Sequence, residues 1–185
     1  SGHMMKRICR SCVCAALLGG GWVGLLAHEE QATGLVPPHS TWRVWDGGGE
    51  MEGWRTPAFD DSAWGAVAAP LGYGEAGLSE PELASGQLGY LLRHRFVVDD
   101  RDAIQGLTLR ARYDDAAIVY LTGKELCRPP NIVDDEVESH EGDGFETFGG
   151  LSSEGLRDGE NVLAVHLLNR SKSSSDVVWD GCLLA

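Results

Sequence analysis

An antiparallel β-sandwich is the fold class predicted by this 185-residue sequence, and three observations predict it. Apolar and polar side chains alternate with a period of two in short segments, as a half-buried strand requires. These segments recur at a spacing of about ten residues, separated by glycine, proline, aspartate and asparagine. Beyond residue 27 no segment sustains the 3.6-residue period of an amphipathic helix.

The elements follow in order. Residues 32–40, ATGLVPPHS, carry paired prolines and no periodicity, and read as the end of a linker spanning 28–40 that leads into a domain over 41–185. The alternation in Thr41-Trp42-Arg43-Val44-Trp45 predicts a first strand, and the three consecutive glycines of DGGGEMEG end it. WRTPAFDDSAWGAVAAP reads as a compact turn region anchored by Trp54, Phe59 and Trp64. PLGYGEAG contains a formal G-x-G-x-x-G in Gly72, Gly74 and Gly77. A phosphate cradle needs a helix N-terminus after the last glycine, and Pro81, Gly86 and Gly89 leave room for none, so the stretch reads as a loop. Strands are predicted over Tyr90–Val98, Gly106–Tyr113 and Ala117–Leu121, with Gly123 turning the chain back. An acidic stretch, 131–144, precedes FETFGGL. A strong strand over Asn161–Asn169, a polar tip at Ser171–Ser175 and a closing strand in DVVWDGCLLA complete the pattern.

The N-terminal segment is of a different kind. Ser1–Met4 reads as a tag remnant before a native start at Met5. Lys6, Arg7 and Arg10 followed by an uncharged run to Ala27 predict a signal peptide over 5–27, and hence a secreted, periplasmic or cell-surface protein with no membrane span after cleavage; the alternatives are a retained anchor and an ordered part of the fold. The 158 residues that follow hold 28 acids and 12 bases, a formal charge of −16. That field repels phosphate backbones, which excludes nucleic acid as a partner. Cys127 and Cys182 are the two cysteines outside the signal segment, and an even pair in an exported chain predicts a disulfide worth about 4 kcal/mol; the alternative is two buried thiols.

FDDSAWGAVAAPLGYG, YLLRHRFVV, LTLRARYDDAAIVYLTGKEL and LRDGENVLAVHLLN, in that order, resemble the galactose-binding-like jelly roll. They are most similar to the non-catalytic sugar-binding domain of β-galactosidases and β-glucuronidases and to related secreted bacterial modules. The resemblance runs over roughly 40–185. Two positions depart from it: Ala116 stands where glycine is usual, and Thr122 where asparagine precedes the turn glycine. Because β-branched residues resist positive φ, the departure at Thr122 predicts a different turn type. In the same frame Asp61 or Ser62 is expected to cap the FDDSAW turn, and Leu163, Val165 and Leu167 to face the core.

The resemblance implies a module that binds carbohydrate, or another cell-surface ligand, through loops at one end of the sandwich. A pyranose needs an apolar face and hydroxyl partners, and the loop residues able to supply them are Trp54, Arg55, Tyr73, Glu75, His94, Arg95, Asn169 and Trp179. Against this, Trp54 and Trp179 also fit a core, Tyr73 a packed loop, and Arg95 an ion pair. The stretch from Asp134 to Glu146 holds seven carboxylates, one histidine and no base. Asp134, Asp135, Glu136 and Asp143 are read either as ligands for a structural Ca²⁺ or as a solvated loop, since their spacing is not that of an EF-hand. No H-E-x-x-H, no G-x-S-x-G and no zinc spacing occurs, so an enzyme is not expected. Two other readings stand beside carbohydrate binding: an adhesive envelope protein that contacts other proteins, and an accessory domain or metal-dependent hydrolase working through its loop carboxylates.

Overall fold

The structure, a computed structural model, describes residues 34–185. Residues 1–4, the predicted signal 5–27 and the first part of the predicted linker lie outside them. Among the described residues no helix is long and apolar enough to cross a membrane. Among the described residues the thirteen strands are β1 (Gly34–Val36), β2 (Thr41–Trp45), β3 (Gly65–Ala68), β4 (Leu71–Tyr73), β5 (Gly89–Val98), β6 (Leu107–Asp114), β7 (Ala116–Leu121), β8 (Lys124–Cys127), β9 (Ile132–Val133), β10 (Glu136–Val137), β11 (Glu146–Leu151), β12 (Gly159–Leu168) and β13 (Val177–Leu184), with one 3₁₀ turn at Arg101–Ala103.

Two antiparallel sheets form the predicted sandwich. One runs β3-β2-β5-β12-β7-β8; in the other β13 pairs with β6 on one side and with β1 and β4 on the opposite side, and β6 pairs with β11. β12 lies centrally in the first sheet, with Leu163 opposite His94 on one neighbour and Leu121 on the other. Its alternation sends Leu163, Val165 and Leu167 into the core between the sheets, where Trp42, Leu92, Leu109, Tyr113, Trp179 and Leu183 meet them. The other face of the same sheet is also dry. Trp54, Trp64, Leu91, Ile118, Tyr120, Val162 and Ala164 form a second apolar cluster beneath the segment that joins β2 to β3.

Four expectations are corrected here. Residues 34–36 of the predicted linker form β1 against the end of β13, because Val36 is fully buried in the main core. PLGYG is not a loop: Leu71–Tyr73 pairs with Val177–Trp179. Gly72, at φ 153°, crosses so close to Val177 that an added Cβ would stand 1.9 Å from its carbonyl oxygen, so only glycine lets the two strands meet. Part of the compact turn region, Gly65–Ala68, is strand and pairs with β2. The hairpin after β7 keeps positive φ at both turn residues, 49° at Thr122 and 93° at Gly123. Thr122 tolerates it because its Oγ1 donates to Asn161 Oδ1 at 3.2 Å and accepts from the Val162 amide at 3.3 Å, tying the turn to β12.

The predicted disulfide is absent: Cys127 and Cys182 are free thiols. Cys127 lies on β8 of the first sheet and packs against the main core. Cys182 lies on β13 of the second sheet, out of phase with the inward-facing Trp179 and Leu183, and so faces away from the core. Burial raises both thiol pKa values, which makes them poor nucleophiles.

Candidate functional site

The eight residues predicted to receive a sugar do not converge. Trp54 and Trp179 are buried, at 1% and 0% exposure, in the outer and inner clusters. Arg55 lies over the Tyr120 ring with its guanidinium carbon 4.3 Å from the centroid, and pairs with Glu50 at 2.7 Å. Arg95 donates to the carbonyls of Pro57 and Phe59 and to Glu160. His94 holds the Thr41 carbonyl at 3.0 Å and lies against Trp42. Glu75 pairs with Arg112 at 3.1 Å. Two pairs among the eight do meet: Arg55 also lies over its neighbour Trp54, 5.1 Å from the ring centroid, and Tyr73 meets Asn169. The Asn169 amide donates to the buried Tyr73 hydroxyl at 3.0 Å, and that hydroxyl donates to the Ser174 carbonyl at 3.1 Å. Their work is to hold the β12–β13 connection against β4.

Arg93, on β5, organises the covering segment. It is 1% exposed. Its Nε donates to Asp61 at 2.6 Å, and its terminal nitrogens donate to the carbonyls of Trp54, Thr56 and Phe59. Burial lowers the pKa of this guanidinium, while Asp61 acts in the opposite sense. In the FDDSAW turn it is Asp60 that caps, accepting from the Ser62 amide at 2.9 Å, because Asp61 is committed to Arg93.

The loop end of the sandwich that carries Tyr73 and Asn169 is built on an acid pair at the crossing from β6 to β7. Asp115 accepts from the Arg170 amide at 2.8 Å and the His140 amide at 3.3 Å, and Asp114 from the Gly142 amide at 3.3 Å. Two buried carboxylates thus fasten the 139–145 segment and the start of the β12–β13 connection. Burial, reinforced by the neighbouring Asp115, raises the Asp114 pKa to about 7. His140 stacks on Tyr113 at 4.5 Å and reaches Glu146 at 2.5 Å, which locks the segment from its other side. The Asn131 amide donates to the carbonyls of Asp115 and Glu138, so the β9–β10 hairpin is fixed to the same crossing.

Between that hairpin and Arg170 opens a cleft of about 590 Å³ lined by Val133, Asp134, Glu136, Val137, Glu138, Ser139 and Arg170. Asp134 and Asp135 form the hairpin turn with φ of 49° and 64°. Of the four carboxylates considered for Ca²⁺, Asp134 and Glu136 line this cleft, whereas Asp135 and Asp143 do not. Among the described residues no three His, Cys, Asp or Glu side chains gather as a metal site. The guanidinium of Arg170, an exposed residue, forms no ion pair among the described residues. Chemically the cleft offers carboxylate acceptors, one hydroxyl, one cationic donor and a strip of aliphatic surface. Asp114, Asp115 and His140 entered no predicted site. For the two acids the signal was the absence of any glycine or proline between two strong strands at YDDAA, which leaves the acids themselves to make the crossing; nothing in the sequence marked His140.

The sequence matches no protein-family model and no characterised protein. The fold is similar to part of several solved glycosidases. It superposes on Bacteroides uniformis β-glucuronidase 2, bound to cyclophellitol-6-carboxylate aziridine, with a TM-score of 0.54 at 17% identity over 82% of this chain. For a glycosyl hydrolase family 2 member from Bacteroides cellulosilyticus the values are 0.53, 14% and 83%, and for a β-glucuronidase of an uncultured Clostridium 0.51, 18% and 84%. This chain spans 18%, 20% and 29% of those three chains. At these identities the likeness is one of fold: an all-β sandwich like one found within glycosidase chains.

Proposed function

We propose that the protein is a carbohydrate-binding sandwich that holds a saccharide in the rim cleft between the β9–β10 hairpin and Arg170 and performs no chemistry on it. The observation that carries this reading is the lining of the cleft. Asp134, Glu136 and Glu138 can accept hydrogen bonds from sugar hydroxyls, Arg170 can donate to ring and hydroxyl oxygens, and Val133 with Val137 can meet the C–H face. A volume of about 590 Å³ suits a mono- or disaccharide. The fold's likeness to a part of β-glucuronidase chains supports the ligand class. The binding role is supported by Asp114 and Asp115, which do not line the cleft and are committed to the amides of Gly142 and Arg170.

With solvated carboxylates and no aromatic platform, affinity in the millimolar range is expected. Calorimetric titration with glucose, galactose, glucuronate and their disaccharides tests the reading. At least one should saturate, and Arg170→Ala and Glu138→Gln should each weaken it by about tenfold, the worth of one charge-assisted hydrogen bond. Absence of saturation by every saccharide, or binding unchanged in both variants, would contradict it.

A further inference from the structure

On the far side of the six-stranded sheet from the main core, where β2 is shorter than β5, a second cleft of about 400 Å³ opens. Its lining includes Thr41, Arg43, Asp61, Ser62, Arg93 and Arg95. Three guanidiniums at one cleft are unexpected in a chain of formal charge −13. They are not equivalent. Arg93 is neutralised by Asp61 at 2.6 Å, and Arg95 by Glu160 at 2.6 Å, with Asp61 a further 3.5 Å contact. Arg43 is exposed, donates one bond to the Trp64 carbonyl at 3.3 Å, and has no carboxylate within ion-pair distance among the described residues. The carbonyl bond orients the guanidinium and leaves its other N–H groups for a ligand. Thr41 supplies a hydroxyl donor on one wall, and the Ser62 hydroxyl on the other is shared with Asp60.

We infer that this cleft binds an oxyanion, the carboxylate or sulfate group of a small ligand, with Arg43 as the anchoring cation. The geometry favours a planar or tetrahedral oxyanion over a neutral group because a guanidinium fork matches two oxygens at once. Asp61 does not close the site to anions, since its charge is spent on Arg93 and Arg95. The inference is independent of the rim cleft, which lies at the loop end of the sandwich and shares none of its residues.

The test is titration of the wild-type protein with sodium sulfate, glucuronate and glucose at low ionic strength, followed by ¹H–¹⁵N spectra. Sulfate and glucuronate should saturate in the millimolar range and shift amides at 41–43 and 61–62, and glucose should leave these amides unmoved. Sulfate binding without glucuronate would assign a free inorganic anion; glucuronate binding as well assigns an anionic sugar. Arg43→Gln, a change at an exposed side chain, should weaken both by about tenfold or more while the thermal midpoint holds. Arg170→Ala, outside this cleft, should leave sulfate binding and the anion-induced shifts at 41–43 and 61–62 intact. Amides at 41–43 that move equally for glucose, anion binding that survives Arg43→Gln, or no response to either anion would overturn the inference.

Discussion

Replacing Arg93 with methionine keeps an unbranched apolar stem and removes the guanidinium with its charge at a position 1% exposed. The loss strands Asp61, itself 7% exposed, with Arg95 at 3.5 Å as its remaining cation, and leaves the carbonyls of Trp54, Thr56 and Phe59 without this donor. Breaking a buried pair from one side costs about 3–5 kcal/mol, most of it the uncompensated partner. The damage should be local first. Urea unfolding followed by tryptophan fluorescence should show that loss, and amides over 54–61 should exchange faster while those of β12 at its centre keep their order of protection. Adding Asp61→Asn to the same chain should recover part of the stability, since the stranded charge is gone. A loss below about 1 kcal/mol, or a double variant in which the two losses simply add, would refute the idea that this guanidinium pins the covering segment.

Three further outcomes follow from the same contacts. Asp114 has its folded pKa raised to about 7 from an ordinary 3.8, so the native state holds its proton more tightly and stability declines as pH rises from about 4 to about 7. Asp114→Asn should therefore stabilise the protein at pH 8, by at most about 4 kcal/mol, with the gain vanishing by pH 4; thermal melts across that range check the sign. Gly72→Ala should cost about 3 kcal/mol or more or prevent folding, because its Cβ would collide with the Val177 carbonyl, whereas Gly77→Ala, with open space around it, should cost only the strain of its positive φ. Thiol titration should count Cys127 and Cys182 as reduced under native conditions, slow to react until unfolded, with a melting midpoint indifferent to reductant.

The sandwich was legible where the sequence repeats one signal over many residues. β6 alternates and β12 sets Leu163, Val165 and Leu167 in phase, while β5, β7 and β13 stand out as apolar, β-branched and aromatic runs bounded by polar turn residues. β1 and β4 were not legible, since each has three residues and owes its conformation to a partner, β13, more than a hundred positions away. The candidate site was mostly illegible for a related reason. Tryptophan in a turn-rich segment reads the same whether it greets a sugar or roofs a sheet; Trp54 roofs one because Ile118, Tyr120, Val162 and Ala164 give the outer face of the sheet its own apolar cluster. The acidic stretch was noticed as a charge pattern, but its β9–β10 hairpin depends on Asp134 and Asp135 both adopting positive φ, which carboxylate counting does not reveal. Asp114 and Asp115 show how a polar pair can be structural, holding two loops by their backbone amides from beneath.

The central claim is that the rim cleft, and not the tryptophans, meets the ligand. Amide and indole signals followed through a saccharide titration test it in one experiment. The account predicts that amides of 133–139 and 170 move together with a single dissociation constant while the indole N–H signals of Trp54 and Trp179 stay fixed. Moving indoles with a static rim, or a saccharide that shifts nothing, would contradict it.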